Sequence, residues 1–276
     1  MELRTAWMVT AVVMAGVLMP CAAAGKPPAA GASERRLLDL VNAERSQRGL
    51  RRLKWDEELA RLARLHAEDM RRAGRVSHAS RDGTTYEGRL VRAGYSARAA
   101  AENVALDRNV ERAHAGLMDS SGHRKNILDR GLTAIGIGVV KDSSGDSIYV
   151  VQDFSDPMVV LSDQEAVRRV RLAAAEARRG ANLQALEERP SVSRSLESTL
   201  RSLIGKDTVK VDKGVLPGPG WVVAYTSPDP SELPDEARRR LQKKVSGVYG
   251  IAAAFARTKS QPFGAYWVVL GILEDQ

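Results

Sequence analysis

The stretch Asp119-Ser120-Ser121-Gly122-His123-Arg124-Lys125-Asn126-Ile127-Leu128 decides the reading of this chain. Two serines and a glycine followed by a run without breakers mark a helix start, with His123 in its first turn. The positive end of a helix dipole disfavours imidazolium, so His123 is expected to be neutral near pH 7, ready to accept a proton or a metal. Three other short segments carry similar chemistry: Ser77-His78-Ala79-Ser80, Ala101-Glu102-Asn103-Val104 and Val150-Val151-Gln152-Asp153-Phe154. His78 follows a helix in a polar loop, and Glu102 with Asn103 is expected in a loop after the Ala-rich run 97–101. Two neutral imidazoles and a carboxylate are a workable Zn²⁺ set with an open position, and equally a workable acid–base set. Spacing alone does not bring them together.

Working outward, Ser33 reads as the cap of a helix carrying Leu37, Leu38 and Val41, ended by Gly49. Asp56 caps a second helix whose apolar face holds Leu59, Leu62, Ala63, His66 and Met70, closed by Gly74. Helical stretches are predicted near 86–93 and 110–118. Two β-rich runs, 134–141 and 147–154, flank Asp142-Ser-Ser-Gly-Asp146 as a hairpin. Gly136 and Gly138 within a strand predict close approach of a helix. His66 reads as a packing residue, His114 as a core or edge histidine, and Asn103 and Asn126 as residues that fix loops through their amides.

After Pro157 the same order restarts. Ala175-Glu-Ala-Arg-Arg-Gly180 echoes the first helix end, and Tyr249-Gly250-Ile251 echoes Ile135-Gly136-Ile137. Ala265-Tyr-Trp-Val-Val269 echoes Ser147-Ile-Tyr-Val-Val151. A degenerate copy is the expectation, and it carries little titratable chemistry, because all four histidines lie in the first half.

At the front, Arg4 followed by the apolar run 6–19, Pro20 and Ala22-Ala23-Ala24 reads as a signal peptide over 1–24. Residues 25–32 form a linker, 33–157 the first domain and 158–276 the second. The single cysteine, Cys21, falls in the signal, so the fold holds without disulfides; a lipoprotein anchored at Cys21 is disfavoured by Pro20. No other segment is apolar enough to span a bilayer. The net charge of +8 comes from arginines spread without aromatic interleaving. That pattern gives solvated faces and no expectation of a nucleic-acid partner.

Taken in order, the Asn-Ala-Glu-Arg helix, Ser-His, Glu-Asn, Ser-Ser-Gly-His-Arg-Lys-Asn-Ile-Leu, Ile-Gly-Ile-Gly-Val and Gln-Asp-Phe resemble the bacterial branch of the CAP superfamily. This superfamily comprises the cysteine-rich secretory, antigen 5 and pathogenesis-related 1 proteins, and the likeness covers about residues 33–157. The resemblance implies an α+β fold, an α–β–α sandwich with a central antiparallel sheet, and a cleft collecting His78, His123 and Glu102. It places Leu117 where the family has Trp, and Ser120 where eukaryotic members have a second Glu. It also implies a peptide, lipid or cell-envelope ligand beside Ser120 and Asn103, in the envelope or outside the cell, with a divalent metal at His78 and His123 left open. The rival reading is an extracellular hydrolase, metal-dependent rather than Ser-His, since Ser120 and His123 share one short turn. Contact between the two halves is the remaining partner expectation.

Overall fold

The computed structural model describes residues 30–275, so the signal peptide and Cys21 lie outside the described residues. The first half runs α1 (Ala32–Gln47), β1 (Lys54–Trp55), α2 (Glu57–Ala73), α3 (Tyr86–Arg92), β2 (Ala97–Asp107), α4 (Val110–Asp119), α5 (Ser121–Leu128), β3 (Ala134–Lys141) and β4 (Ile148–Pro157). Its strands lie in the order β1-β3-β4-β2. All pairings are antiparallel except β1 with β3, which makes the expected antiparallel sheet a mixed one.

Local chemistry sets the helix ends. Asp56 accepts from Leu59 N (2.9 Å) at the start of α2, and Gly74 closes it at φ 65°. The expected Ser33 cap is displaced: α1 starts at Ala32, with Gly31 as N-cap and its N–H donated to the Glu34 carboxylate (2.8 Å). Alternation along the strands then divides the core. Ile135, Ile137, Val150 and Phe154 face α1, α4 and α5, whereas Tyr149, Val151 and Val104 face α2. Gly136 is what lets α2 lie on β3: a Cβ there would sit 2.1 Å from Ala60 N, and one at Gly138 2.4 Å from Ala63 C.

The second half repeats the design. It runs α6 (Asp163–Gly180), β5 (Glu187–Glu188), α7 (Pro190–Lys206), β6 (Gly220–Ser227), α8 (Asp235–Leu241), β7 (Gly247–Ala256) and β8 (Ala265–Glu274). Its sheet order is β5-β7-β8-β6, with β5 parallel to β7. Helices α6 and α8 cover one face and α7 the other. The two sheets therefore match strand for strand in order, and the strand echoes read from the sequence fall in register, whereas the helix echo is out by one residue. Gly136 and Gly250 occupy corresponding positions, and so do Tyr149 and Trp267.

One buried group shows how closely the halves correspond. Arg45, 1% exposed, donates to the carbonyls of Arg51 (2.8 Å), Ile127 (2.8 Å), Asp129 (2.8 Å) and Leu132 (3.3 Å). Arg178 donates likewise to Gln184 O (2.7 Å), Leu241 O (2.9 Å) and Lys243 O (3.4 Å). Each guanidinium ties the end of the first helix to the loop entering the third strand, satisfying carbonyls that the turns leave over. The halves also touch: Arg257 donates to Gly94 O and to Ser96 Oγ (2.6 Å), and Phe263 packs against the cluster of Leu59, Tyr86 and Leu90.

Candidate functional site

The site forms around β2, the edge strand of the first sheet. Glu102 and Asn103 were expected in a loop; they lie instead in the middle of β2, paired across the ladder with Asp153 and Gln152. The Ala-rich run before them has no strand preference of its own, and pairing with β4 overrides it. The strand pleat sends the two side chains to opposite faces. Glu102 points to the α2–α3 side and Asn103 to the α5 side.

On the first side, the Glu102 side chain is 2% exposed, and both its oxygens are engaged. His78 Nδ1 lies 2.8 Å from Oε1, and the Arg89 guanidinium donates to Oε2. Arg89 also donates to His78 O (2.9 Å), so one arginine holds both the carboxylate and the loop carrying the histidine. Burial pushes the Glu102 carboxyl up, opposed chiefly by Arg89. Asp153 opposite it is fully buried, and neither oxygen meets a donor. Burial, then the charge on Glu102, drives its carboxyl well above the usual range. Of this adjacent pair Glu102 carries the charge and Asp153 the proton, because two carboxylates in a dry site cannot both ionise.

His66, expected to be a packing residue, is 1% exposed and sits beside this pair. Its Nε2–H donates to Ser77 O (2.8 Å), and the same nitrogen is 3.9 Å from Glu102 Oε2. Burial, then the nearby Arg89 charge, pulls it down to about 4, so it stays neutral. His114 is buried elsewhere, with no hydrogen bond to either ring nitrogen, and does not enter the cleft.

On the second side, Asn103 Nδ2 donates to His123 O (3.2 Å) and Gln152 Oε1 (3.1 Å). Asn126 Nδ2 donates to Glu102 O (3.3 Å) and Asn103 Oδ1 (3.0 Å). The two amides thus clamp α5 to the free edge of β2, a stricter duty than fixing a loop. His123 is the third residue of α5 and partly exposed. Burial lowers its pKa, with a further push from His78. Ser120 ends α4 and caps α5 without a side-chain cap bond, and no hydrogen bond joins it to His123. Leu117 fills the core behind them, 2% exposed.

The arrangement orients an imidazole. With Nδ1–H donated to Glu102, His78 leaves Nε2 without a partner in the protein, and its side chain is 59% exposed. It opens on a cavity of about 350 Å³ lined by Thr85, Tyr86, Glu87 and Ala101. The three-donor zinc set does not form, because Glu102 is turned to His78 and Arg89. Among the described residues, no group of three or more His, Cys, Asp or Glu could hold a metal ion. Arg89, Asp153 and Gln152 were missed as site residues. Asp153 and Gln152 stood in a quoted motif, and the register of β4 against β2 is the signal that would have assigned them.

The fold and this cleft define the class, and the comparisons agree. Residues 38–154 match the model of the CAP family, the cysteine-rich secretory protein family, and the first half of this chain belongs to it. Two Bacillus subtilis (strain 168) proteins are similar: the uncharacterized protein YkwD, 35% identical over 119 residues, and the uncharacterized membrane protein YlbC, 35% identical over 123 residues. The matches cover 43% and 44% of this chain, and 46% and 34% of those proteins, less than half of either. A solved Bacillus anthracis extracellular protein containing an SCP domain is 32% identical, with a TM-score of 0.42, over 45% of this chain and 40% of that one.

Proposed function

We propose that the first half is an exported ligand-binding domain that takes a peptide, lipid or cell-envelope fragment in the cleft of His78, Glu102, His123, Asn103 and Ser120. The observation that carries this reading is the buried Glu102 carboxylate held between His78 Nδ1 and Arg89. A protein spends burial of a charge on fixing an exposed imidazole only where that imidazole's free nitrogen has a task. Location outside the cytoplasm is supported by the Arg4-to-Ala24 sequence pattern and by the similar extracellular protein of Bacillus anthracis. No helix of the described residues is long and apolar enough to cross a membrane. The basic surface would favour anionic envelope polymers.

The hydrolase reading has less support. Among the described residues no group of three or more His, Cys, Asp or Glu is placed to hold Zn²⁺, and Ser120 has no hydrogen bond to His123. The test is sedimentation of the purified protein with isolated cell envelopes, beside a His78→Ala, His123→Ala variant. Binding lost in the variant supports the cleft; equal binding by both proteins removes it. Calorimetric titration with Zn²⁺ alone is expected to show binding weaker than micromolar. A tighter, histidine-dependent isotherm would favour the metal reading.

A further inference from the structure

A groove of about 680 Å³ runs between α6 and α7 in the second half, roughly twice the cavity at His78. Its floor is four consecutive residues of β7, Ile251 to Ala254. Successive strand side chains point to opposite faces, so a floor of consecutive residues is the edge of the strand. That edge is unfinished. The two-residue β5 pairs only with Val248 and Tyr249. Arg189 N donates to Tyr249 O (2.9 Å), and Ile251 N donates to Ser193 Oγ (3.2 Å), so the odd-numbered backbone groups face outward. Ala253 is next in that row, and no strand or side chain of the described residues meets its outward N–H and C=O. Unpaired backbone groups at an edge pair readily with another extended chain.

The first half shows why the groove is open here. There the helices flanking β3 are joined over its edge by Arg64 and Glu34, two parallel bonds of 2.7 and 2.6 Å. The corresponding residues are Val167 on α6 and Glu197 on α7, both lining the groove and unable to bridge. The close fit of α2 on Gly138 is lost as well, because Ala252 takes that position and Leu196 replaces Ala63. The groove therefore lacks the bridge that crosses the edge of β3 in the first half.

We propose that this groove receives an extended peptide segment, added as a strand to the outer edge of β7 beyond β5. The rim specifies its charges. Arg171 is held by Glu188 (2.7 Å), but Glu197 and Arg201 on α7 have no ionic partner among the described residues. They stand one helical turn apart, about 6 Å along the axis. Alternate side chains on one face of a strand are separated by about 7 Å. A peptide with an acidic and a basic residue two positions apart meets both, and its backbone takes the Ala253 groups.

The test is NMR titration of the full chain with the synthetic peptide acetyl-Thr-Val-Asp-Val-Lys-Val-amide. The amides of residues 250–256 are expected to shift. N-methylation of alternate peptide bonds should abolish the shifts, since it removes the strand hydrogen bonds and leaves the side chains. Val167→Glu with Glu197→Arg, which installs the bridge of the first half, should weaken binding by about tenfold or more while circular dichroism stays unchanged. Glu197→Arg alone should bind better the peptide carrying Asp in place of its Lys, which keeps the proposal testable should the double variant misfold. Absence of shifts, or equal binding of the N-methylated peptide, overturns it. Concentration-dependent self-association through the same amides would assign the edge to a second copy of this chain instead.

Discussion

The two halves share a strand order, a buried arginine and a glycine at the closest helix–strand contact, and they differ most in chemistry at two neighbouring rungs of the sheet. In the first half one rung reads Glu102–Asp153–Gly136; in the second it reads Val222–Gly271–Gly250. The neighbouring rung, Asn103–Gln152–Ile137, becomes Val223–Leu270–Ile251. The four polar side chains on these rungs, Glu102, Asp153, Asn103 and Gln152, are thus replaced by aliphatic residues or glycine, while the architectural groups survive. The fold does not need the buried carboxylates, so their presence in one half serves the cleft and not the core. Burying such groups costs stability unless each is paired, which gives a reason for their loss once the task is absent.

The sharpest way to break the correspondence is to remove its arginines. Arg45→Ala should destabilise the first half by about 3–5 kcal/mol, because several buried carbonyls lose their donor together. Arg178→Ala should cost the second half less, since it serves one carbonyl fewer. Urea unfolding monitored by NMR separately in each half checks both; equal and negligible losses would refute the shared role. Next come the glycines. Gly136→Ala drives a Cβ to 2.1 Å from Ala60 N and should cost about 3 kcal/mol or more, whereas Gly250→Ala meets Ser193 N at 2.6 Å and should cost less. Thermal melts of the two variants give the order.

Two titrations sharpen the difference in chemistry. His66 has a folded-state pKa of about 4, below the ordinary value near 6.5. The unfolded chain therefore binds the extra proton between those values, and the stability contribution present above pH 6.5 is lost as pH falls towards 4. His66→Gln should flatten this acid limb by about 3 kcal/mol at most, read from urea midpoints between pH 4 and 7. Asp153 acts in the opposite sense. Its carboxyl is raised in the folded state, so the folded chain keeps a proton that the unfolded chain releases near pH 4, and stability declines as pH rises from there. Asp153→Asn should fold and lose less stability towards neutral pH than the parent. A steeper decline in the variant would show that Asp153 is ionised in the cleft.

Much of this was legible in the sequence. Local chemistry announces itself in local residues: Asp56 as a cap, Gly74 as a stop, and Asp142 to Asp146 as a hairpin turn. The duplication also read in register, because aromatic and glycine positions of β3, β4, β7 and β8 repeat in order. Glu102 and Asn103 were misplaced because an alanine run has no strand signature, and only pairing with β4 makes β2 a strand. Arg45, Arg89 and Asp153 escaped for a related reason. A buried charge is identified by the partners that surround it, and those partners lie far away in the chain. His66 looked like a packing residue because helical spacing records which face is buried and not what lies beyond it.

The joint between the halves has a practical consequence. Met158 N donates to Ser96 O (2.9 Å) in the first half while its side chain packs in the core of the second. Three residues later Leu161 N donates to the Tyr266 hydroxyl (2.6 Å), which itself donates to Val159 O (3.0 Å). Val159 and Val160 between these anchors are 76% and 49% exposed. A protease that reads aliphatic residues would therefore find its substrate here, at a short exposed link fastened on both sides. The nicked chain would migrate as two fragments in denaturing gels and still elute as one particle from a sizing column.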